Sequence, residues 1–310
     1  MSGTEQDHNV LLVGAGPAGI SAAIWLQDYG VPFLWIDRSR AVGGLLHRVH
    51  NCIQNYPGGV FDNGGTLAEH LNEHLLRLDL QPTGGELVAI EREDEGLVAT
   101  LDGTRIVRPE LLLLTTGTRY RTLGVPGEKE GLGKWVSQSA MADADRFAGQ
   151  SVAMVGGGDS AFEGAKVLAQ AQCSVTMLIR SPELRARPEF VKTVQEDPRI
   201  TIAPIPSVVE RIAPTSSGCR LEIDQQGHRH TLEVAALFVR IGVEPALPSG
   251  CEELACDARG FLCVDHAMTT SAPDILAAGD LRSTDLRSVA VSVGDGAQAA
   301  QSCAALLGFL

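Results

Sequence analysis

Two glycine-rich loops carry the residues of this chain whose types and spacing best fit a chemical role. In the first loop, Gly14, Gly16 and Gly19 have the spacing G-x-G-x-x-G and follow the apolar run "NVLLV". The first glycine permits a tight turn, the second lets the backbone approach a pyrophosphate, and the third lets helix and strand pack closely. The following helix N terminus offers N–H groups and positive partial charge to an anion. The pattern therefore predicts a dinucleotide site.

An acid at the end of the next apolar segment strengthens this prediction. Asp37 closes "FLWID", where a carboxylate is expected to accept a hydrogen bond from a ribose hydroxyl. A glycine motif alone is weak evidence. The succession of strand, loop, helix, strand and terminal acid is much more specific.

The second loop repeats the pattern with a different ending. Gly156, Gly158 and Ala161 have the spacing G-x-G-x-x-A, but in "LIRSPELRA", at the end of the next apolar segment, Arg180 stands where a ribose-binding acid would be. Arg180 and Arg185 could bind a 2′-phosphate, which an acid would repel. This loop predicts a nicotinamide dinucleotide site that favours NADPH over NADH. The alternative is that both arginines only solvate a surface loop.

The segments around the two loops also repeat. Each loop lies in a strand–turn–helix–strand unit, and the first helix is expected from Pro17 to about Tyr29, with Gly30 as its cap. Each unit is followed by alternating segments typical of a β-meander, the first with an Asp102-Gly103 turn. The predicted fold class is α/β, with two Rossmann-like dinucleotide-binding domains, each with a β-meander. We expect residues 1–119 plus 245–310 to form one discontinuous domain and 120–244 the other.

Composition narrows the possible partners. The chain has 310 residues, of which 44% are hydrophobic, and Lys+Arg 25 against Asp+Glu 38 gives a formal charge of -13. An acidic surface argues against nucleic acid or an anionic membrane. The polar opening does not resemble a signal peptide, and no apolar run approaches the roughly 20 residues of a membrane span. We therefore expect a cytoplasmic protein.

The cysteines do not form a recognisable redox or metal motif. There are seven, none of them in a C-x-x-C pair. Cys251 and Cys256 lack nearby histidines at finger spacing, so no metal site is expected.

The order of the motifs resembles the low-molecular-weight thioredoxin reductase family over nearly the whole chain. The matching segments are "GAGPAG", "GG" and "NYPG" at 43–44 and 55–58, "TTG" at 115–117, "GGGDSA" and "AAGD". The resemblance implies FAD in the first domain, NADPH in the second, and a homodimer.

Position by position, the resemblance also implies the residues that contact each cofactor. Asp280 would bond the ribityl or phosphate part of FAD, and the backbone of Val88 would hold its adenine. Residues 287–289 would begin the last helix at the pyrimidine end of the flavin, where a helix N terminus stabilises negative charge. The full FAD set is Gly14, Gly16, Pro17, Ala18, Gly19, Asp37, Gly43, Gly44, Leu45, Leu46, Asn55, Val88, Thr116, Gly117, Gly279, Asp280, Arg287, Ser288 and Val289. The NAD(P) set is Gly156, Gly158, Asp159, Ser160, Ala161, Arg180, Arg185 and Gly242.

This sequence departs from the family at its redox centre. The stretch "VSQSAMAD" places Ser139 and Ala142 where the family has the two cysteines of its redox-active C-x-x-C. Neither side chain can form a disulfide, so reduction of thioredoxin by the family mechanism is not expected. Where the family has His-Arg-Arg, this chain has Ile-Arg-Ser at 179–181, so one phosphate-binding arginine is missing.

Three other side chains are candidates near the flavin. Cys52 is the only cysteine placed to replace the lost pair, although a buried structural thiol is the alternative. His47 and His50 could donate protons to flavin or substrate, or could lie in a solvated loop.

The leading hypothesis is an FAD enzyme that takes hydride from NAD(P)H and passes electrons to an acceptor other than thioredoxin. The acceptor could be a ferredoxin or flavodoxin, a quinone, oxygen or a small disulfide. Two alternatives remain open. In the first, a nicotinamide-independent flavoprotein takes electrons from a protein donor such as a ferredoxin or flavodoxin, or holds another nucleotide or a second flavin in its second domain. In the second, the protein is a non-catalytic redox sensor.

Overall fold

The chain folds into two compact units in the computed structural model, which describes residues 9–39, 41–94 and 96–310. The first unit comprises the described part of Met1–Arg119 together with Glu244–Leu310, and the second is Tyr120–Val243.

The first unit is built on a five-stranded parallel sheet. Its strands are β1 (Val10–Val13), β2 (Phe33–Asp37), β3 (Thr83–Gly84), β7 (Leu111–Leu114) and β18 (Ile275–Ala277). They lie in the order β18-β7-β1-β2-β3. β1 and β7 have only buried side chains, as expected for central strands of a parallel sheet covered on both faces.

Helices cover one face of this sheet, and a meander covers the other. The helices are α1 (Pro17–Asp28), α2 (Gly64–Arg77) and α7 (Val289–Leu306), and α1 packs extensively on α7. The antiparallel meander consists of β4 (Leu87–Glu93), β5 (Gly96–Leu101) and β6 (Arg105–Val107). Asp102 and Gly103, with φ of 53° and 77°, make the tight turn between β5 and β6 that the sequence predicts.

The second unit repeats this plan. Its parallel sheet has the order β12-β11-β10-β16-β9, and a separate antiparallel meander has the order β13-β14-β15. The sheet strands are β9 (Val136–Ser137), β10 (Ser151–Val155), β11 (Ser174–Leu178), β12 (Ile200–Ile202) and β16 (Ala236–Val239). The meander strands are β13 (Ser207–Thr215), β14 (Gly218–Gln225) and β15 (His228–Val234). The helices are α3 (Glu128–Gly131), α4 (Ala140–Asp143), α5 (Asp159–Gln170) and α6 (Pro188–Gln195).

The strand orders confirm the predicted fold class. Both parallel sheets and both meanders lie where the sequence repeats predict them. Two short strands, β8 (Thr118–Tyr120) and β17 (Val243–Pro245), pair with each other. Among the described residues, no helix is long and apolar enough to cross a membrane.

Candidate cofactor sites

The first glycine loop is held in place by two side chains that the motif does not include. Gly14, with φ of 110°, accepts hydrogen bonds on its carbonyl from the indole of Trp35 at 2.9 Å and from Thr115 Oγ1 at 3.1 Å. A Cβ on Gly19 would lie 2.0 Å from that same carbonyl. Helix α1 can therefore cross β1 this closely only because residue 19 has no side chain.

Gly16 differs from its two neighbours in the loop. Its φ of -75° is accessible to any residue, and a Cβ there would meet no atom within 4 Å. Folding of the chain therefore does not require glycine at this position. Open space in front of the α1 N terminus, beside Pro17 and Ala18, is what a bound pyrophosphate would need.

The Asp37 carboxylate is hydrogen-bonded to the first glycine loop. Its Oδ2 accepts a hydrogen bond from the Ala15 N–H at 2.8 Å, and its Oδ1 accepts from Ser39 N at 2.8 Å and from Ser39 Oγ at 2.6 Å. The carboxylate therefore lies at the carboxyl end of β2 beside the glycine loop, as expected. Its role towards a ribose stays a prediction.

The 43–44 glycine pair lies against the same loop. Gly43 N–H donates to Ala15 O at 2.7 Å, and both glycines have positive φ, of 109° and 52°. A Cβ on Gly44 would lie 3.3 Å from Gly16 Cα. The fold thus joins two motifs that are about thirty residues apart in the sequence.

The "AAGD" segment approaches the loop from the opposite side. A Cβ on Gly279 would lie 2.9 Å from Ala18 Cβ, so Asp280 follows directly beside the start of α1. Ser292 Oγ donates to Asp280 Oδ1 at 3.3 Å. Burial raises the pKa of the Asp280 carboxyl, and this effect exceeds the lowering by the Ser292 hydrogen bond and by the charge of Arg287.

An ion pair that the motifs did not indicate supports this segment. Arg282 forms a bidentate pair with Asp295 of α7, at 2.5 and 2.8 Å, and Asp295 also accepts a hydrogen bond from Gly279 N–H at 3.2 Å. The two residues are 13 positions apart, so no local sequence pattern predicts this contact.

The start of α7 has the geometry that the sequence predicts. Ser288 is its N-cap and accepts from Val291 N at 3.3 Å, so Val289 is the first helical residue. The Arg287 guanidinium lies 3.8 Å from the Phe261 ring centroid, and its Nε donates to Asp280 O at 3.3 Å. Burial lowers the pKa of Arg287.

Two buried polar atoms in this unit have no hydrogen-bond partner among the described residues. They are Thr116 Oγ1, beside Gly117, and Arg287 Nη2. A buried donor without a partner costs about 1–3 kcal/mol, so such groups commonly bind a ligand. Together with the open space at Gly16, they fit a polar, anionic cofactor. The residues present therefore suit FAD, whose reactive ring would exchange electrons when bound.

Other residues of the FAD set have contacts that the motifs did not show. Leu46 is 4% exposed and packs in the hydrophobic core, whereas Leu45 is half-buried and Asn55 is exposed. Val88 is the extra residue at a β-bulge, and its carbonyl accepts from Ser249 N at 3.0 Å. Their contacts with a flavin stay predictions.

The interpretation of Cys52 as a buried thiol is wrong. Cys52 is exposed, because Ile53 pairs with Phe61 and points into the core, which directs its neighbour outwards. His47 and His50 are exposed as well, and the His47 ring contacts Val42 O at 2.9 Å through Nε2.

The second glycine loop has its closest contact at its first glycine, whereas the first loop has it at Gly19. A Cβ on Gly156 would lie 2.2 Å from Arg240 O and 2.8 Å from Ala161 Cβ, so alanine fits at position 161 only because position 156 is glycine. Gly158, like Gly16, has open space where its Cβ would lie. Asp159 and Ser160 begin α5, and Gly242, with φ of 94°, ends the segment after β16.

The arginines after β11 lie next to this loop. The Arg185 and Ala186 N–H groups donate to Gly157 O at 2.9 and 3.1 Å. Arg187 is paired with Asp159 at 2.8 Å, whereas Arg180 and Arg185 are exposed and have no ion pair among the described residues. Two cations are thus free to bind an anion.

The stretch that would carry a dithiol is a hydrogen-bonded turn. Ser139 caps α4 by accepting from Ala142 N at 3.3 Å, and Ser137 Oγ donates to Asp143 Oδ2 at 2.7 Å. Neither cysteine of the second unit replaces the missing thiols. Cys173 and Cys219 are buried, and burial raises the pKa of both, that of Cys219 to about 11.

Comparison with known proteins agrees with this geometry. Residues 8–296 match the family model described as "Pyridine nucleotide-disulphide oxidoreductase". The chain belongs to this family. It is 31% identical to a thioredoxin reductase of Treponema pallidum, over 98% of each chain, and 28% identical to one of Listeria monocytogenes, over 97% of this chain and 94% of the other.

A solved structure gives the same result. The thioredoxin reductase of Lactococcus lactis has a TM-score of 0.79 at 28% identity, covering 98% of this chain and 100% of that one. The family is one of NAD(P)H-dependent flavoprotein oxidoreductases, and its thioredoxin reductases use FAD and NADPH. The predicted fold, enzyme class and cofactors are thereby confirmed at the level of the family.

Gly16→Val tests the FAD site without a change in packing. We expect the variant to keep its unfolding temperature. Its FAD content should fall by about tenfold or more, because the new side chain would occupy the space in front of α1. The ratio of flavin to protein absorbance after purification measures this. Gly294→Ala is the control. A Cβ at Gly294 also meets nothing within 4 Å, but this residue lies inside α7 and not in the glycine loop. Equal flavin content in all three proteins would contradict the assignment.

Asp280→Asn tests the cause of the raised pKa. Because burial raises the folded-state pKa of Asp280, folding favours the protonated form, and the ionised form destabilises the FAD-free protein above the ordinary pKa of 3.8. We expect the variant to unfold at a higher temperature than wild type near pH 7. The difference should vanish as the pH falls below 3.8, where wild type is protonated in both states. Thermal unfolding against pH measures this, and a destabilised variant near pH 7 would show that burial is not the dominant effect.

Proposed function

We propose that this protein is an FAD-dependent oxidoreductase that takes hydride from NAD(P)H, with NADPH favoured, and passes electrons to an acceptor other than thioredoxin. The observation that carries the acceptor proposal is the turn at 137–143. Ser137 Oγ donates to Asp143 there, and Ser139 Oγ accepts from the backbone N–H of Ala142, in place of a redox-active dithiol. Asp280, Arg287 and the first glycine loop would hold the flavin, and the second glycine loop would hold the nucleotide.

The preference for NADPH rests on the charges beside the second glycine loop. Arg180 and Arg185 are exposed cations, the Arg185 N–H donates to Gly157 O, and Arg180 rather than an acid stands at the end of β11. A 2′-phosphate would gain charge-assisted hydrogen bonds there that NADH cannot form. The ion pair between Arg187 and Asp159 would keep the segment in place without using either free arginine.

Two further points rest on the relatives. We propose a homodimer, as the resemblance to thioredoxin reductases implies, and a cytoplasmic location. The acceptor would dock from outside, because both cysteines of the second unit are buried. A ferredoxin, a flavodoxin, a quinone, oxygen and a small disulfide are the acceptor classes to compare.

Anaerobic mixing of the FAD-loaded protein with NADPH, and separately with NADH, tests the first half-reaction. We expect rapid loss of flavin absorbance, with NADPH effective at lower concentration than NADH. Stopped-flow absorbance measures both rates. Retention of oxidised flavin with both nucleotides, in protein that dithionite still reduces, would contradict NAD(P)H as donor and favour a protein donor.

The Ser139→Cys/Ala142→Cys double variant tests why thioredoxin is excluded. The two positions are the N-cap and third residue of α4, a separation at which two cysteines can form a disulfide. We expect wild type to show no thioredoxin-dependent oxidation of NADPH and the double variant to acquire a disulfide that NADPH reduces. Thiol titration before and after NADPH measures this, with the single Ser139→Cys variant as control. Reduction of thioredoxin by wild type would overturn the proposed acceptor class.

A further inference from the structure

Arg240 is an unexpected charge at the end of an apolar strand. It follows β16, whose four residues are all buried, and its N–H donates to Val155 O at 2.9 Å. Its carbonyl lies 2.2 Å from where a Cβ on Gly156 would be. The main chain of Arg240 therefore forms one wall of the second glycine loop.

The side chain of Arg240 is held in place but is not neutralised. Its Nη1 donates to Gln138 O at 2.9 Å, and the guanidinium lies 4.9 Å from the centroid of the Tyr120 ring. Within the described ranges it has no carboxylate partner, in a chain whose formal charge is -13. An arginine has five N–H donors, so this arrangement leaves donors available to an anion.

The strand order shows which part of a dinucleotide would meet this guanidinium. The glycine loop follows β10, which lies between β11 and β16 in the sheet. Dinucleotides bind across the carboxyl ends of such strands, with the adenosine ribose beside the end of the second strand of the motif, here β11 and Arg180. The nicotinamide half must then lie on the other side of the loop, over β16 and Arg240.

We propose that Arg240 binds the pyrophosphate of the nicotinamide dinucleotide, at the phosphate attached to the nicotinamide ribose. This inference rests on the proposed binding of NAD(P)H to the second unit. NADPH and NADH share this phosphate, so Arg240 provides affinity common to both nucleotides. Arg180 and Arg185 distinguish the two through the 2′-phosphate. The chain would thus divide the two tasks between opposite sides of one glycine loop.

Binding to nucleotide fragments separates the two roles. The FAD-loaded protein is titrated by calorimetry with NADP⁺, NAD⁺ and adenosine 2′,5′-bisphosphate, which lacks the phosphate on the nicotinamide side. For Arg240→Gln we expect the Kd of NADP⁺ and of NAD⁺ to rise by the same factor, roughly 10- to 100-fold, as for loss of a charge-assisted contact. The Kd of the bisphosphate should stay unchanged. Arg180→Gln should do the reverse and weaken NADP⁺ and the bisphosphate but not NAD⁺.

Two further variants control for a purely structural effect. Arg240→Lys keeps the charge and should recover part of the lost affinity. Arg220→Gln, on β14 and paired with Glu233 at 2.7 Å, should change no Kd. If Arg240→Gln weakens the bisphosphate as much as NADP⁺, the residue acts by shaping the loop and the proposal is wrong.

The remaining outcomes separate this inference from the proposed function. An unchanged Kd for NADP⁺ in Arg240→Gln, with normal binding in wild type, would overturn the role of Arg240 alone. If wild type binds neither NADP⁺ nor NAD⁺, the proposed donor and the role of Arg240 are both wrong.

Discussion

The contact between Gly14 and Gly19 is the constraint on which the first unit depends. At 2.0 Å from the Gly14 carbonyl, no Cβ can exist at position 19, so α1 and β1 meet backbone to backbone. Trp35 and Thr115 then hold the same carbonyl, and the Gly43 N–H bonds the Ala15 carbonyl. Each contact fixes a neighbouring strand or loop relative to the α1 N terminus, beside which a Cβ on Gly16 would meet no atom within 4 Å.

In the second unit, the closest backbone contact of the glycine loop involves a different pair of residues. Ala161 replaces the third glycine, and the tightest contact moves to Gly156, whose missing side chain makes room for the Arg240 carbonyl. In both units the residue after a central strand forms one wall of the loop, since a Cβ on Gly14 would lie 2.5 Å from the Thr115 carbonyl. The residue after β16 is a half-buried arginine, whereas the residue after β7 is the buried Thr115.

The sequence predicts the parts of this structure that depend on local geometry. Glycine spacing, the Asp102-Gly103 turn and the Ser288 cap are local signals, since each needs only a few adjacent residues in a special conformation. The outward direction of Cys52 depends on pairing between Ile53 and Phe61. The Arg282–Asp295 pair joins α7 to a distant loop. Such contacts arise from tertiary packing, and the local sequence pattern does not contain them.

Buried polar groups in the first unit indicate what the fold is organised to bind. Burial of Asp280 raises its pKa, and Arg287 and Thr116 keep polar atoms that no described residue satisfies. Isolated groups of this kind destabilise a fold unless a ligand completes them. By contrast, Ser137, Ser139 and Asp143 of the second unit satisfy one another within their turn. The first unit thus has polar atoms that a bound cofactor would satisfy, whereas the hydrogen bonds of the turn at 137–143 are made within the turn itself. This contrast supports the proposal of an acceptor other than thioredoxin.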